Sequence, residues 1–110
     1  MARKKLFLLA YDIADDGRRN RVHREATDLG VALQYSVFLI PATVAEIDRF
    51  LSVIDGIIDA RADDIRVYPL PSRLEVWRYG RQSLPLGTSL IMDEPLAEAV
   101  TKLVGTPQLD

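Results

Sequence analysis

LFLLAYDIADDGRRNR, residues 6–21, passes from an unbroken apolar run to aspartates and then to arginines. An apolar stretch of strand length with no polar alternation reads as a strand buried on both faces, hence as a central strand. Its last residue, Asp12, is then a carboxylate held where buried backbone meets water. Asp15 or Asp16 can cap a following helix whose stop is Gly30, a residue suited to the left-handed position after a helix. At 100° per residue Val22, Ala26 and Leu29 share one face of that helix. Arg21, Arg24 and Asp28 fall on the other, and Arg18 and Arg19 flank the apolar stripe near the amino end.

Working outward, VALQYSVFLI (31–40) is rich in β-branched and aromatic residues and closed by Pro41, which predicts a second strand with Gln34 and Ser36 as its polar members. Thr43-Val44-Ala45-Glu46 matches a capping box. Val44, Ile47, Phe50, Leu51, Ile54, Ile57 and Ile58 then recur at three- and four-residue steps, predicting a helix with a broad buried face that ends near Ala60. Residues 64–68 read as a third strand ended by Pro69-Leu70-Pro71, and residues 74–80 alternate as a fourth. Residues 89–92 are a further strand candidate, and Asp93-Glu94-Pro95 opens a short helix with Leu96, Ala99, Val100 and Leu103 on one face and Gly105 as its stop. Helices on one face of an antiparallel sheet in the order βαββαβ make an α+β, ferredoxin-like sandwich. One strand candidate exceeds what that sheet needs, so it wants a partner outside it.

Composition narrows the function classes. At 110 residues, 48% hydrophobic and 27% charged, the chain fits one soluble domain, and no apolar run approaches the ~18 residues needed to span a bilayer. The basic start Met1-Ala2-Arg3-Lys4-Lys5 imitates a signal peptide, but the apolar run ends at Asp12 without a small-residue cleavage site, so it reads as the first strand. The absence of cysteine fits a reducing cytoplasm and excludes thiolate metal sites and cysteine nucleophiles, and the lone His23 cannot build a multi-histidine site. It reads as a surface helix residue. Net charge is −2, yet Arg18, Arg19, Arg21 and Arg24 cluster in one segment and Arg61, Arg66, Arg73, Arg78 and Arg81 in another, while the carboxy-terminal end is acidic.

Three groups carry candidate chemistry. Asp12 is one carboxylate, and magnesium usually takes one or two with waters and phosphate oxygens, so a symmetric dimer that brings two Asp12 side chains to one ion would complete a site for phosphodiester hydrolysis. The plain alternative is a strand end followed by a turn and a cap. Arg18, Arg19, Arg21 and Arg24 read either as phosphate-backbone contacts or as a solvated helix face paired locally with Glu25 and Asp28. Arg73, Arg78 and Arg81, interleaved with Trp77 and Tyr79, read either as a duplex-backbone track or as a face packed on a partner. Tyr35 and Ser36 read as backbone or phosphate contacts, or as structural strand residues.

YDIADDGRRNRVHREATDLGVALQYSVFLI (11–40) resembles the amino-terminal half of CRISPR-associated protein 2, the small subunit of the spacer-acquisition machinery. The linked motifs are Tyr11-Asp12-Ile13, Asp15-Asp16 with Arg18-Arg19, and Gln34-Tyr35-Ser36-Val37-Phe38, and residues 65–70 fit the family's third strand. The resemblance implies a ferredoxin-like homodimer in which a late strand of each subunit pairs with the other's sheet. Residues 1–110 are then one domain, with 82–110 a carboxy-terminal extension, a strand and short helix, packing on a partner subunit. It implies a CRISPR adaptation protein that bridges integrase subunits while holding a double-stranded DNA prespacer, with a magnesium- or manganese-dependent endonuclease activity on single-stranded RNA or double-stranded DNA. By position Asp12 is the implied metal ligand, and Arg18 and Arg19 the implied catalytic and phosphate-binding residues. Arg21, Arg24 and Arg78 are further nucleic-acid contacts, and Tyr11, Ser36 and Phe38 support the site. The acidic carboxy-terminal segment is an expected docking element for the integrase subunit. The alternatives are a free-standing toxin-type endoribonuclease and a noncatalytic ferredoxin-like binding module.

Overall fold

The computed structural model describes residues 3–71. The expected strands over 74–80 and 89–92, the short helix after Asp93, Arg78 and the 82–110 extension lie outside the described residues. Within them the chain runs β1 (Lys5–Asp12), α1 (Asp16–Leu29), β2 (Val31–Gln34), β3 (Val37–Ala42), α2 (Val44–Asp55) and β4 (Asp64–Pro69). The four strands form one antiparallel sheet in the order β2-β3-β1-β4, so the apolar run that opens the chain is indeed an interior strand. Alternate residues of β1 serve its two faces, as a pleated strand requires. Phe7, Leu9 and Tyr11 join Phe38, Ile40 and Ala42 of β3, Val22 and Ala26 of α1, and Ile47, Phe50 and Ile54 of α2 in one core. Both helices therefore cover the same face. Leu6, Val31 and Leu39 are buried outside that cluster.

The single strand expected over 31–40 is two strands. The chain turns at Tyr35-Ser36, β2 pairs back on β3 with Val31 opposite Leu39 and Ala32 opposite Phe38, and the register shifts between Ala32 and Gln34. No glycine, asparagine or proline marks that turn, so an uninterrupted β-forming run concealed it. Its consequence is topological: βαββαβ is complete at Pro69, and this sheet needs no later strand.

Three local details also differ from expectation. Pro41 lies inside β3 opposite Leu6, not after it. β2 reaches only to Leu39, so at Pro41 β3 is an edge on that side, where a strand tolerates a missing N–H. Gly30 does cap α1, donating its N–H to the Ala26 carbonyl at 3.0 Å, but in extended backbone (φ −151°), not the left-handed region. Glycine is required there for space, since a Cβ would sit 2.2 Å from the Leu39 carbonyl oxygen. The second helix ends at Asp55, with Ile57 and Ile58 packing on the core from the following turns. Val44, its first residue, is 53% exposed and not part of the buried face, because at 100° per residue it lies roughly 90° around the helix from the centre of the stripe formed by Ile47, Phe50 and Ile54. The capping box is present in full: Glu46 N–H donates to Thr43 Oγ1 (3.1 Å) and Thr43 N–H to Glu46 Oε1 (2.9 Å). The bond from the Thr43 N–H holds the Glu46 carboxyl below its ordinary pKa.

Candidate functional site

The end of β1 gathers most of the residues singled out by the sequence. Asp12 is exposed and makes no hydrogen bond or ion pair among the described residues. Its register partner is Asp64 of β4, whose carboxylate is engaged by Arg66 Nε at 2.9 Å. Among the described residues no three carboxylate or histidine groups converge, so one protomer presents a single uncommitted carboxylate at this edge. Such an oxygen donor suits magnesium as one ligand of several and is too little to complete a site alone.

Behind Asp12, on the helix side, Tyr11 is buried. Its ring packs at 6.2 Å on Phe38, and its hydroxyl lies 3.3 Å from His23 Nδ1 and donates to the Tyr35 carbonyl at 3.3 Å. Burial first, and the nearby Tyr35 phenol second, push the Tyr11 hydroxyl above its ordinary pKa, so it stays a neutral phenol at physiological pH. His23 is not the surface residue expected. It is half-buried, edge-on to Phe38 at 5.3 Å and nearly parallel to Tyr35 at 6.3 Å. The signal was its place on the helix, four residues after Arg19 and three before the buried Ala26, at the rim of the apolar stripe.

The arginines divide by partner. Asp15 caps α1, accepting from Arg18 N–H at 2.9 Å. The Arg18 side chain is committed to Asp63, donating from Nε to Oδ2 at 2.8 Å and from Nη2 to Oδ1 at 3.1 Å. Ala14 N–H donates to Oδ1 and Asp59 N–H to Oδ2 of the same carboxylate, each at 2.9 Å. The Asp63 side chain is wholly buried, yet the Arg18 guanidinium, aided by the two backbone N–H groups, holds its carboxyl well below the usual range against the desolvation. Asp63 thus ties the β1–α1 loop to the α2–β4 connection and fixes the chain on both sides of the Asp12–Asp64 pair. Arg18 acts here by positioning, and only its Nη1 is left outside the bidentate pair.

Arg19 donates to Asp16 at 2.6 Å and to the Ile13 carbonyl at 3.1 Å. Asp16, and next the Tyr35 hydroxyl, stabilise its charged form. Its guanidinium is thereby held against the carbonyl of the residue after Asp12. Arg21 and Arg24 are exposed and, among the described residues, form no ion pair. Ser36 contributes its carbonyl to Tyr11 N–H at 3.1 Å, and Phe38 is buried under Tyr11. The sequence offered no local signal for Asp63, because its contact with Arg18 spans 45 positions.

The family model described as CRISPR associated protein Cas2 matches residues 5–75. A CRISPR-associated endoribonuclease Cas2 of Nitrosomonas europaea is 42% identical over 81 residues, covering 74% of this chain and 77% of the relative. Another, from Thermodesulfovibrio yellowstonii, is 44% identical over 66 residues, covering 60% and 72%. Among solved structures, a hypothetical protein from Thermus thermophilus superposes with a TM-score of 0.64 at 30% identity, over 70% of this chain and 94% of that one. Streptococcus pyogenes Cas2 superposes with a TM-score of 0.57 at 31% identity, over 60% and 86%.

Proposed function

This chain belongs to the CRISPR associated protein Cas2 family, and on that premise we propose that it is a homodimeric, nucleic-acid-binding subunit of a CRISPR adaptation complex that hydrolyses phosphodiesters with magnesium or manganese. The observation that carries the reading is the Asp12 carboxylate, exposed and uncommitted at the end of an interior strand whose Phe7, Leu9 and Tyr11 are fixed in the core. The relatives named above as endoribonucleases support a nuclease. Asp12 from each of two protomers would hold the ion. When bound, it polarises the phosphodiester and lowers the pKa of a water nucleophile.

The remaining residues orient. Asp63 and Arg18 set the loop after Asp12, Arg19 sits against Ile13, and Arg21 and Arg24 supply uncommitted positive charge along α1 for the phosphate backbone. Arg78 is assigned to the same surface on its sequence pattern alone. Bridging of integrase subunits, with a double-stranded prespacer or single-stranded RNA as the bound strand, is proposed from family membership.

The test is cleavage of single-stranded RNA and of duplex DNA with and without Mg²⁺ or Mn²⁺. Cleavage is expected only with metal, and Asp12→Ala is expected to abolish it while leaving the melting temperature and the sedimentation of the dimer unchanged. Equal activity in Asp12→Ala refutes the assignment. Replacing Arg21 and Arg24 with glutamine should weaken binding across sequences and reduce the salt slope by about 0.9 for each phosphate that is no longer neutralised.

A further inference from the structure

Tyr35 is 68% exposed, the most exposed large apolar residue among those described, yet it is rigidly mounted. It occupies the β2–β3 turn, where Tyr11 N–H bonds the Ser36 carbonyl at 3.1 Å and Tyr11 Oη bonds the Tyr35 carbonyl at 3.3 Å. His23 backs its ring at 6.3 Å with the planes 24° apart, and His23 is in turn steadied by the edge contact with Phe38, itself 1% exposed. The bond from Tyr11 to Ser36 extends the β1–β3 ladder one step beyond Ala10–Val37, so the ring emerges at the same end of the sheet as Asp12.

We propose that Tyr35 is a stacking platform for one unpaired nucleobase of a single-stranded nucleic acid, with the adjacent phosphate drawn to the Arg19 side of the ring. Each part follows from chemistry already in place. A flat, pre-ordered aromatic ring loses little entropy on stacking, and every base offers it a π-face. Arg19 is held at the Ile13 carbonyl, at the same end of the sheet, and Arg21 and Arg24 add uncommitted cations to the helix that carries His23. An exposed aromatic beside arginines is the pairing that single strands use, whereas bases inside a duplex are already stacked on their neighbours and cannot cover the ring. The inference rests on the nucleic-acid reading above and adds to it a preference for unpaired nucleotides.

The experiment is fluorescence anisotropy of the full chain with a labelled single-stranded oligonucleotide and with the same sequence as a duplex, comparing wild type with Tyr35→Leu and Tyr35→Trp. Tyr35→Leu should weaken single-strand binding by about 5- to 140-fold, the equivalent of ~1–3 kcal/mol per stacked base. Duplex binding should change less than about twofold and the salt slope should hold, because Arg19 keeps its bonds to Asp16 and the Ile13 carbonyl when the Tyr35 hydroxyl is lost, and Arg21 and Arg24 are untouched. Tyr35→Trp should bind single strands as wild type does. The inference is overturned if Tyr35→Leu binds single strands like wild type, or if it loses both forms equally. It is overturned too if Tyr35→Leu alters the oligomeric state in sedimentation, which would make the ring a protein contact. Failure of wild type to bind either form would overturn the nucleic-acid reading itself.

Discussion

Replacing Gly30 with alanine should cost this small domain a large part of its stability through one misplaced methyl group. The added Cβ would lie 2.2 Å from the Leu39 carbonyl oxygen, 2.9 Å from Ile40 Cγ1 and 3.0 Å from Ile40 Cα. Leu39 and Ile40 are both fully buried in β3, which is held by β1 on one side and, at Leu39, by β2 on the other. The clash is mainly with backbone, so no side chain can swing away, and relief must come from shifting residues 30–31. That movement strains the Gly30–Ala26 bond and the Val31–Leu39 pairing. Overpacking of this kind costs about 1–3 kcal/mol, and an overlap near 1 Å against fixed backbone belongs at the upper end. Because the backbone here is extended, alanine can adopt it, and the stiffer unfolded chain returns ~0.4–1 kcal/mol. The net expectation is a loss of about 2–3 kcal/mol, or a fall in melting temperature of roughly 8–24 °C. Urea unfolding followed by circular dichroism measures it. Gly56 is the internal control: its backbone is helical (φ −75°) and a Cβ there meets nothing closer than the Val53 carbonyl at 3.4 Å, so Gly56→Ala should stabilise by about 0.4–1 kcal/mol. Asparagine, which tolerates left-handed backbone, should fare no better than alanine at Gly30. A Gly30→Ala protein within ~0.5 kcal/mol of wild type, or an Asn variant that rescues it, would refute the steric account.

Two further outcomes test the frame of the site. The Asp63 carboxyl titrates well below its unfolded value of about 3.9, so the unfolded chain binds the extra proton first; its contribution is complete above that pH and is lost as the pH falls through the folded value. Asp63→Asn should therefore be destabilised at pH 7 and lose less than wild type between about pH 4 and pH 2, with faster hydrogen exchange at the Ala14 and Asp59 amides; parallel stability curves would count against the Arg18–Asp63 anchor. At the start of α2, Thr43→Ala removes the cap and should cost ~1 kcal/mol in chemical denaturation, whereas Thr43→Ser keeps it.

Local patterns in the chain were legible because they are short-range physics. Residues 5–12 announced an interior strand by lacking polar alternation, although its second face is only partly covered at Leu8 and Ala10; Asp15 and Thr43 announced helix starts by offering side-chain acceptors to free N–H groups, and Val22 with Ala26 announced a buried face by spacing. The motif around Tyr11-Asp12-Ile13 likewise placed the chain in its family. The β2–β3 turn was illegible because Gln34-Tyr35-Ser36 has no residue that demands a turn, and the reversal is stabilised by bonds from Tyr11, more than twenty positions away in sequence.

What the sequence determined by itself is the strands β1 and β4, the two helices, the isolated Asp12 carboxylate and the arginine-rich helix beside it. Tertiary structure alone decided how those charges are spent. Asp63 meets Arg18 across 45 positions and removes it from the free cations, while Arg21 and Arg24 keep their charge uncommitted among the described residues. The fold also turned Tyr35 from a strand residue into an exposed ring backed by His23. The physical reason is the same in each case: helix and strand periodicity depend on neighbours within a few residues, whereas ion pairing, burial and ring packing depend on segments that only the closed sheet brings together.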